Sequence, residues 1–340
     1  MYLKSMKMRK LLKLFEKEIS ELKKKIADNN IFNVYYHADL DGLTSAFLIY
    51  RNYPSKSINF KACTLNLENY IEDNNYFSIF VDLASSYFIN LDIDAFIIDH
   101  HDVEVNKCKF PIINPKLRGI KKNYTASKII FDILDKKGDF EKLAALLGIY
   151  GDFCMEDWKD FEKDVLKSLN MSKEEFLYIY DHLNAPLILQ GRKLCDDVLN
   201  LLISSKDVKE LVSKLDVFNK YYKILKDEVR KLEDEFNRKA DIIGKLCFFN
   251  LRSKYAQMLS YFSSYILEKN KDLIIFVYKE TKNRIIVSCR SKKYNILKLL
   301  EEIKKKVPFE YGGHKNACGI RFSKKKDFNE FRRILFEKFL

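Results

Sequence analysis

The sequence predicts an α/β protein in which a mainly parallel sheet domain is joined by a long helix to a smaller α/β domain. From residue 31 onward, short apolar runs alternate with helical patterns, which is typical of a parallel sheet covered on both faces. A charged stretch without Gly or Pro, 207–239, then interrupts the alternation, and a second alternation follows Gly244. With 340 residues, 47% of them hydrophobic, the chain is long enough for two domains with their own cores.

The first 30 residues predict an amphipathic helix that packs on the domain behind it. Lysines fill one face, and apolar residues recur at helical spacing on the other: Leu11, Leu12, Leu14, Phe15, Ile19, Leu22 and Ile26. The segment has neither the apolar core nor the small-residue cleavage site of a signal peptide.

The domain at 31–204 is expected to contain four strands and several helices. The strands are predicted at 31–36, 58–63, 77–81 and 95–98, and the helices at 43–50, 124–136, 140–150 and 161–169, followed by a helical block around Pro186. Residues 205–243 predict a helical connector. A coiled-coil arm is the alternative there, but fewer than four clean heptads favour the connector.

The domain at 244–340 is expected to be a smaller α/β unit. Its predicted strands are 246–251, 273–278, 285–289 and 318–322, and its predicted helices are 255–268, 293–305 and 326–338.

Composition limits the classes of function. The formal charge of +13 favours a polyanionic partner, either nucleic acid or an acidic lipid surface, although a Lys-rich proteome bias would give the same total. The cysteine number is odd, seven, and no pair has C-x-x-C spacing, so we expect a reducing cytoplasm without a disulfide framework or structural zinc. No apolar run reaches the roughly 18 residues of a membrane span.

Acids and histidines follow the apolar runs of the first domain. They are His37, Asp39 and Asp41 after the first strand, Asp82 and Asp99-His100-His101 after two others, and Asp152 after an apolar helix. Any one of these acids, taken alone, is better explained as a helix cap or a turn residue. Because parallel strands end at one sheet edge, the whole set predicts a centre for two divalent metal ions. His182 has no such neighbours, and we interpret it as structural.

The same residues resemble the four motifs of the DHH phosphoesterase superfamily: His37-x-Asp39-x-Asp41-Gly42, Asp82, Asp99-His100-His101 and Gly151-Asp152. Residues 311–319, Tyr-Gly-Gly-His-Lys-Asn-Ala-Cys-Gly, are similar to the Gly-Gly-Gly-His-x-x-Ala-x-Gly signature of the DHHA1 domain, with Tyr311 in place of the first Gly. The resemblance implies a DHH catalytic domain at 31–204 and a DHHA1 substrate-binding domain at 244–340. It favours the branch of RecJ-like single-strand nucleases.

Residue roles follow from the resemblance. It implies that Asp39 and His37 hold one ion, that Asp41, His100 and Asp152 hold the other, and that Asp82 bridges the two. Asp99 would orient an imidazole, and His101 would face the scissile phosphate or add a ligand. The ions implied are Mn²⁺, or alternatively Mg²⁺ or Co²⁺. Substrate phosphate would meet Arg290, Ser291, Gly312, Gly313 and His314, and a loop with Asn114, Pro115 and Ser127 would line the site.

The function implied is a metal-dependent phosphodiesterase, foremost a RecJ-like exonuclease on single-stranded DNA or RNA in the cytoplasm. One alternative is hydrolysis of short substrates: nanoRNA, a cyclic dinucleotide or 3′-phosphoadenosine phosphate. Another is a non-catalytic, replication-associated scaffold of the same fold. A replication or repair protein is a possible partner, and no membrane partner is expected.

Overall fold

The computed structural model describes residues 11–64, 75–84, 92–102, 109–255 and 257–339, with His314 described by its backbone only. The chain forms two compact units, Met1–Lys220 and Tyr221–Leu340. The predicted domain boundaries at 30/31, 204/205 and 243/244 remain predictions.

The first unit is built on a parallel sheet, as predicted, but the sheet has five strands, and the short fifth strand, Ile112–Ile113, is not among the four predicted. Its strands are β1 (Ile31–His37), β2 (Ser57–Cys63), β3 (Ser78–Val81), β4 (Ala95–Ile98) and β5 (Ile112–Ile113). Their order is β2-β1-β3-β4-β5, and every neighbouring pair runs parallel. β3 and β4 are buried along their whole length, which explains their uninterrupted apolar sequence.

The helices of the first unit include α1 (Glu16–Asp28), α2 (Leu40–Asn52), α3 (Ala126–Ile133), α4 (Asp139–Gly151), α5 (Lys159–Leu169), α6 (Lys173–Gln190), α7 (Cys195–Ile203) and α8 (Val208–Lys214). Helix α1 buries Ile19, Leu22 and Ile26 and packs on its own unit, as predicted. The part of that prediction that covers residues 1–10 lies outside the described residues.

The connecting stretch 207–239 is divided rather than a single helix. Helix α8 ends at Lys214, a 3₁₀ turn occupies Leu215–Phe218, and α9 spans Asn219–Lys239. The 3₁₀ turn buries Leu215 and Phe218, so packing of these two side chains accompanies the interruption. Helix α9 is the long helix that the sequence predicts.

The second unit has a six-stranded mixed sheet ordered β10-β11-β9-β8-β7-β6. The strands are β6 (Asp241–Ile243), β7 (Leu246–Asn250), β8 (Ile274–Glu280), β9 (Ile285–Ser291), β10 (Glu310–His314) and β11 (Ala317–Phe322), and the helices are α10 (Met258–Lys269), α11 (Ile296–Lys304) and α12 (Lys325–Phe339). A core of Leu, Ile, Val and Phe side chains lies between one sheet face and helices α11 and α12.

Within the described part of the chain, no helix is both long and apolar enough to cross a membrane.

Candidate metal centre

Three parallel strands end side by side beneath the candidate site. Tyr36 of β1 pairs with Val81 of β3, and Val81 pairs with Ile98 of β4. The next residue of each strand is therefore delivered to one sheet edge, and these residues are His37, Asp82 and Asp99.

Asp82 belongs to every group of side chains in the described chain that is arranged to hold a metal ion. The three groups are His37, Asp39 and Asp82; Asp41, Asp82, His100 and Asp152; and Asp82, His100 and His101. Within each group the ligand atoms lie within 4.8 Å of one another. Asp82 is only 2% exposed and has a left-handed backbone, φ 58°, which is uncommon outside Gly, Asn and Asp. The turn directs this carboxylate between the other ligands.

His37 and Asp39 form one side of the centre. The Nδ1 atom of His37 lies 2.5 Å from Asp39 Oδ2 and 3.6 Å from Asp82 Oδ2. The other oxygen of Asp39 accepts a hydrogen bond of 3.0 Å from the backbone N–H of Gly42, so Asp39 also caps helix α2. Gly42 is required there, since a Cβ would lie 2.3 Å from the carbonyl oxygen of His37.

His100 joins the strand edge to the end of helix α4. Its Nε2 atom lies 3.1 Å from Asp82 Oδ1 and 3.1 Å from Asp152 Oδ2. Asp152 immediately follows the last residue of α4, Gly151, so the helix end sets its position.

Asp41 is held by the first turn of helix α3. One of its oxygens accepts hydrogen bonds from the backbone N–H of Ser127 at 3.0 Å and from Ser127 Oγ at 2.5 Å, and the other accepts from the N–H of Ala126 at 2.7 Å. Gly148 of helix α4 makes room for this contact, because a Cβ there would lie 2.5 Å from Asp41 Oδ1 and closer still to Ser127 Oγ. The α3 N-terminus also favours a negative charge at this point.

Asp99 and His101 form a pair beside the cluster. The Nδ1 atom of His101 lies 2.6 Å from Asp99 Oδ1, and Asp99 is fully buried. The side-chain amide of Asn114 donates a hydrogen bond of 2.8 Å to the carbonyl oxygen of His101 and so fixes the loop that carries it.

The pKa values in the cluster are shifted because several carboxylates are buried close together. Burial and the neighbouring charges of Asp82 and Asp152 raise the pKa of Asp41 well above its ordinary value. Burial lowers the pKa of His100, but hydrogen bonds to Asp152 and Asp82 outweigh it and raise that pKa well above the usual range. Burial likewise lowers the pKa of His37, and the Asp39 carboxylate more than compensates. Without a cation the site therefore retains protons.

The donor set suits a hard or borderline divalent ion. The grouped ligands are carboxylate oxygens and imidazole nitrogens, without a thiolate, which is the set that binds Mn²⁺ or Mg²⁺. Two buried carboxylate oxygens, Asp82 Oδ2 and Asp99 Oδ2, accept no hydrogen bond from any described residue. Because such oxygens are costly to leave unpaired, the Asp82 oxygen fits a position that a cation would satisfy.

The predicted substrate residues of the second unit lie on and beside a β-hairpin. The glycine-rich segment forms strand β10, which pairs antiparallel with β11 through a turn at Lys315 and Asn316. Gly313 has φ 134°, and a Cβ there would lie 2.3 Å from the carbonyl oxygen of Ala317, so only glycine fits. Gly312 is exposed, and the side chain of His314 lies outside the described residues.

Arg290 and Ser291 end the neighbouring strand β9. Arg290 donates from Nε to Ser264 Oγ at 3.1 Å and from Nη2 to Ser260 Oγ at 2.7 Å, so two serines of helix α10 hold the guanidinium. Ser291 is fully buried, and its hydroxyl accepts the backbone N–H of Tyr294 at 3.2 Å. The expectation that Ser291 faces substrate does not fit this burial, because the hydroxyl is used to fix the turn before α11.

Sequence reasoning left two contributors unassigned. Gly148 and the backbone N–H of Ala126 have no motif, because their importance arises only from contact with Asp41 across the fold. Both ring nitrogens of His182 have partners, the carbonyl oxygen of Tyr178 at 2.8 Å and Asn219 Oδ1 at 2.9 Å, which agrees with its structural interpretation.

Comparison with known families matches two regions of the chain. Residues 31–151 match the DHH family, N-terminal domain, and residues 249–339 match the DHHA1 domain. No curated protein matches the chain.

Several solved structures share the fold. RecJ from Thermus thermophilus in complex with Mn²⁺ has a TM-score of 0.68 and 15% identity over 93% of this chain and 53% of that chain. The chain thus spans about half the length of that RecJ. The pGpG-specific phosphodiesterase PggH from Vibrio cholerae has a TM-score of 0.51 and 12% identity over 91% of this chain and 98% of that chain. CDC45 from Entamoeba histolytica has a TM-score of 0.56 and 9% identity over 98% of this chain and 99% of that chain.

Proposed function

Because this chain belongs to the DHH family and carries a DHHA1 domain, we propose that it is a two-metal-dependent phosphodiesterase acting on single-stranded DNA or RNA as an exonuclease. The observation that carries the proposal is the position of Asp82 in all three candidate ligand groups. A carboxylate shared in this way is suited to bridge two neighbouring ions.

The proposed ligand sets follow the observed groups. His37 and Asp39 hold one ion, Asp41, His100 and Asp152 hold the other, and Asp82 bridges them. When bound, ions of this class act as Lewis acids on a phosphoryl group and provide an activated water at neutral pH. We propose Mn²⁺ as the usual ion, with Mg²⁺ or Co²⁺ as alternatives, and the Mn²⁺ of the Thermus RecJ structure supports this choice.

The remaining residues act by orientation and by charge. Asp99 holds Nδ1 of His101, so the neutral ring carries its acceptor lone pair on Nε2. His101 then faces the scissile phosphate or adds a ligand to the group with Asp82 and His100. In the second unit, Arg290 is held by two serines, which favours geometrically defined contact with a phosphate, together with Gly312, Gly313 and His314.

A second candidate keeps the chemistry and shortens the substrate. The likeness to PggH, which extends over 98% of that chain, favours a short oligonucleotide or cyclic dinucleotide, since PggH is a pGpG-specific phosphodiesterase. The likeness to CDC45 supports a third candidate, a scaffold in replication. Against the scaffold, the described chain retains every carboxylate and imidazole that the two ligand sets require.

Digestion of end-labelled DNA and RNA oligomers of graded length, with and without Mn²⁺, tests the proposal. We expect Mn²⁺-dependent cleavage from one end that proceeds on long strands. Equal or faster turnover of the shortest oligomers would favour the short-substrate candidate. Inactivity on every oligomer, with Mn²⁺ bound, would favour the scaffold. End-blocked oligomers distinguish the polarity of degradation.

A further inference from the structure

The second unit carries the whole net positive charge of the protein. Residues 221–340 contain 29 Lys and Arg and 15 Asp and Glu, a net charge of +14, whereas residues 1–220 contain 32 and 33, a net charge of −1. A compositional bias toward lysine would enrich both units alike. The asymmetry therefore indicates a function of the second unit that requires cations.

Many of these cations lie at one edge of the second sheet. Asn250 of β7 pairs with Tyr278 of β8, and Ile285 of β9 pairs with both Glu280 and Phe322. The loops after β7, β8 and β11 thus meet at the same edge. We call this edge the basic edge and define it by Arg252, Lys254, Lys279, Lys282, Arg284, Arg321, Lys324, Lys325 and Lys326.

Few of these charges are neutralised locally. Among the residues that the structure describes, three acids share the edge, Glu280, Glu310 and Asp327. Lys325 pairs with Glu280 at 2.6 Å and Arg321 with Glu310 at 3.3 Å. Six exposed cations of this edge make no ion pair with a described acid: Arg252, Lys254, Lys282, Arg284, Lys324 and Lys326. Their proximity is unfavourable in the isolated protein, and an anionic partner would relieve the repulsion.

The basic edge is distinct from the edge that carries Arg290 and the glycine hairpin. Strand β9 begins at the basic edge with Ile285 and ends beside Arg290 at Ser291. Six steps of about 3.3 Å place the two edges about 20 Å apart. A polyanion that contacts both edges must be extended, which a dinucleotide is not.

The surroundings favour nucleic acid over a lipid surface. The large hydrophobic side chains that are exposed in the described chain, Ile31, Tyr178, Val212, Val217 and Ile242, all lie elsewhere. The basic edge therefore lacks the apolar residues with which peripheral proteins enter a membrane. It has instead a half-buried aromatic residue, Tyr255, whose ring centroid lies 5.2 Å from Lys254 Nζ. Cations next to an aromatic ring are typical of single-strand binding surfaces.

We propose that the basic edge binds the phosphate backbone of a single-stranded nucleic acid at a distance from the phosphate contacted by Arg290 and the glycine hairpin, and so adapts the protein to long strands. This inference rests on the proposed function for its substrate class. It deepens that function by selecting long strands over dinucleotides.

Equilibrium binding to labelled oligonucleotides in EDTA tests the inference without catalysis. The test variant is Lys282→Gln/Lys324→Gln/Lys326→Gln in the full chain. The matched control is Lys223→Gln/Lys231→Gln/Lys239→Gln, which removes the same charge from exposed positions of helix α9 in the same unit. All six lysines are exposed and make no described ion pair, so both variants should fold.

For a strand of about 40 nucleotides, we expect the test variant to bind at least about tenfold more weakly than the control at moderate salt. The slope of log K against log salt should be less negative by about 2 for the test variant than for the control. Each of the lost phosphate contacts removes about 0.7 from this slope. Oligomers of about 4 nucleotides should bind wild type and both variants alike.

Equal losses of oligonucleotide affinity in the test and control variants would overturn the inference, because the effect would then arise from net charge alone. If the test variant loses binding to anionic vesicles but binds oligonucleotides as wild type does, the inference would be overturned in favour of a lipid partner. Mn²⁺-dependent hydrolysis of the strand of about 40 nucleotides is measured in parallel. If hydrolysis is absent while the binding difference persists, the proposed function fails and the binding surface stands.

Discussion

Asp82 and His100 lie 3.1 Å apart, Oδ1 to Nε2, although they follow different strands of the sheet. Their contact results from parallel pairing of β3 with β4, which places Val81 beside Ile98. The same His100 nitrogen lies 3.1 Å from Asp152. One strand edge and one helix end therefore converge on a single imidazole.

The shared position of Asp82 predicts that its substitution abolishes activity without unfolding the protein. The suitable variant is Asp82→Asn, because Asn tolerates the left-handed backbone at this position better than Ala does. We expect Mn²⁺-dependent hydrolysis to fall by several orders of magnitude, and the Mn²⁺-induced rise in Tm to be lost. Circular dichroism checks the fold. Retained Mn²⁺-dependent activity would show that Asp82 is not a bridging ligand.

The hydrogen bonds to Asp41 predict that Ser127→Ala weakens metal binding. The variant removes the side-chain donor, while the two backbone donors, the N–H groups of Ala126 and Ser127, remain. Loss of a residue that orients a ligand typically reduces metal affinity about 10- to 100-fold. Titration calorimetry with Mn²⁺ measures this.

A matched control for Ser127→Ala is Ser45→Ala in helix α2. Ser45 is also fully buried, but its hydroxyl has no hydrogen-bond partner among the described residues. We expect Ser45→Ala to leave Mn²⁺ affinity unchanged. An equal loss in both variants would mean that Ser127 acts through packing rather than through Asp41.

The raised histidine pKa values predict that Mn²⁺ affinity increases with pH. Burial lowers the pKa values of His37 and His100, but their carboxylate partners raise both well above the ordinary value of about 6.5. A metal ion requires neutral imidazoles, so it must displace these protons. Titration calorimetry in buffers of different ionisation enthalpy counts the protons released. An affinity that is constant or falls as pH rises would contradict the prediction.

The metal-free protein should show the opposite trend in stability. A histidine whose pKa is raised on folding stabilises the protein fully below about pH 6.5, and this contribution is lost as pH rises through the folded-state pKa. In EDTA, Tm should therefore fall above about pH 6.5, whereas in Mn²⁺ it should fall less or rise. Parallel thermal scans in the two conditions provide the measurement.

The buried pair of Lys128 and Asp132 in helix α3 predicts a large loss of stability when it is broken. Both side chains are almost fully buried, and Lys128 Nζ lies 4.5 Å from the ring centroid of Trp158. Burial lowers the pKa of Lys128, although Asp132 opposes the shift. Asp132→Asn leaves the cation unpaired, and we expect a cost of about 3–5 kcal/mol in the free energy of unfolding.

Asp139→Asn is the control for the buried pair, because it breaks an exposed pair with Lys142. Exposed pairs contribute about 0–1 kcal/mol, so the two variants should differ clearly in urea denaturation. Similar small losses in both would mean that Lys128 releases its proton and remains buried as a neutral amine.

The contacts of Arg290 predict a change in KM without a change in metal affinity. Arg290→Lys keeps the positive charge but loses the planar fork that Ser260 and Ser264 hold. If Arg290 binds substrate phosphate, KM should rise while Mn²⁺ affinity is unchanged. An unchanged KM would remove Arg290 from the proposed substrate site.

The sequence by itself was sufficient to predict the parallel sheet and the set of acids and histidines at its edge. His37 ends an apolar strand, and Asp82 and Asp99 directly follow two others, so local pattern and parallel pairing together predict where they lie. The position of these residues relative to the strands depends on residues that are adjacent in the chain, so a single sequence is enough to predict it.

Only the tertiary structure decided how Asp41 is held, that Ser291 is buried, and that the glycine motif is a hairpin strand. Asp41 and Ser127 are 86 residues apart in the chain, and the space that Gly148 leaves for them exists only after helices α2, α3 and α4 pack. The basic edge is a similar case, since Arg252, Lys282 and Lys324 follow three separate strands. Contacts between distant segments depend on packing, which periodicity and composition do not encode locally.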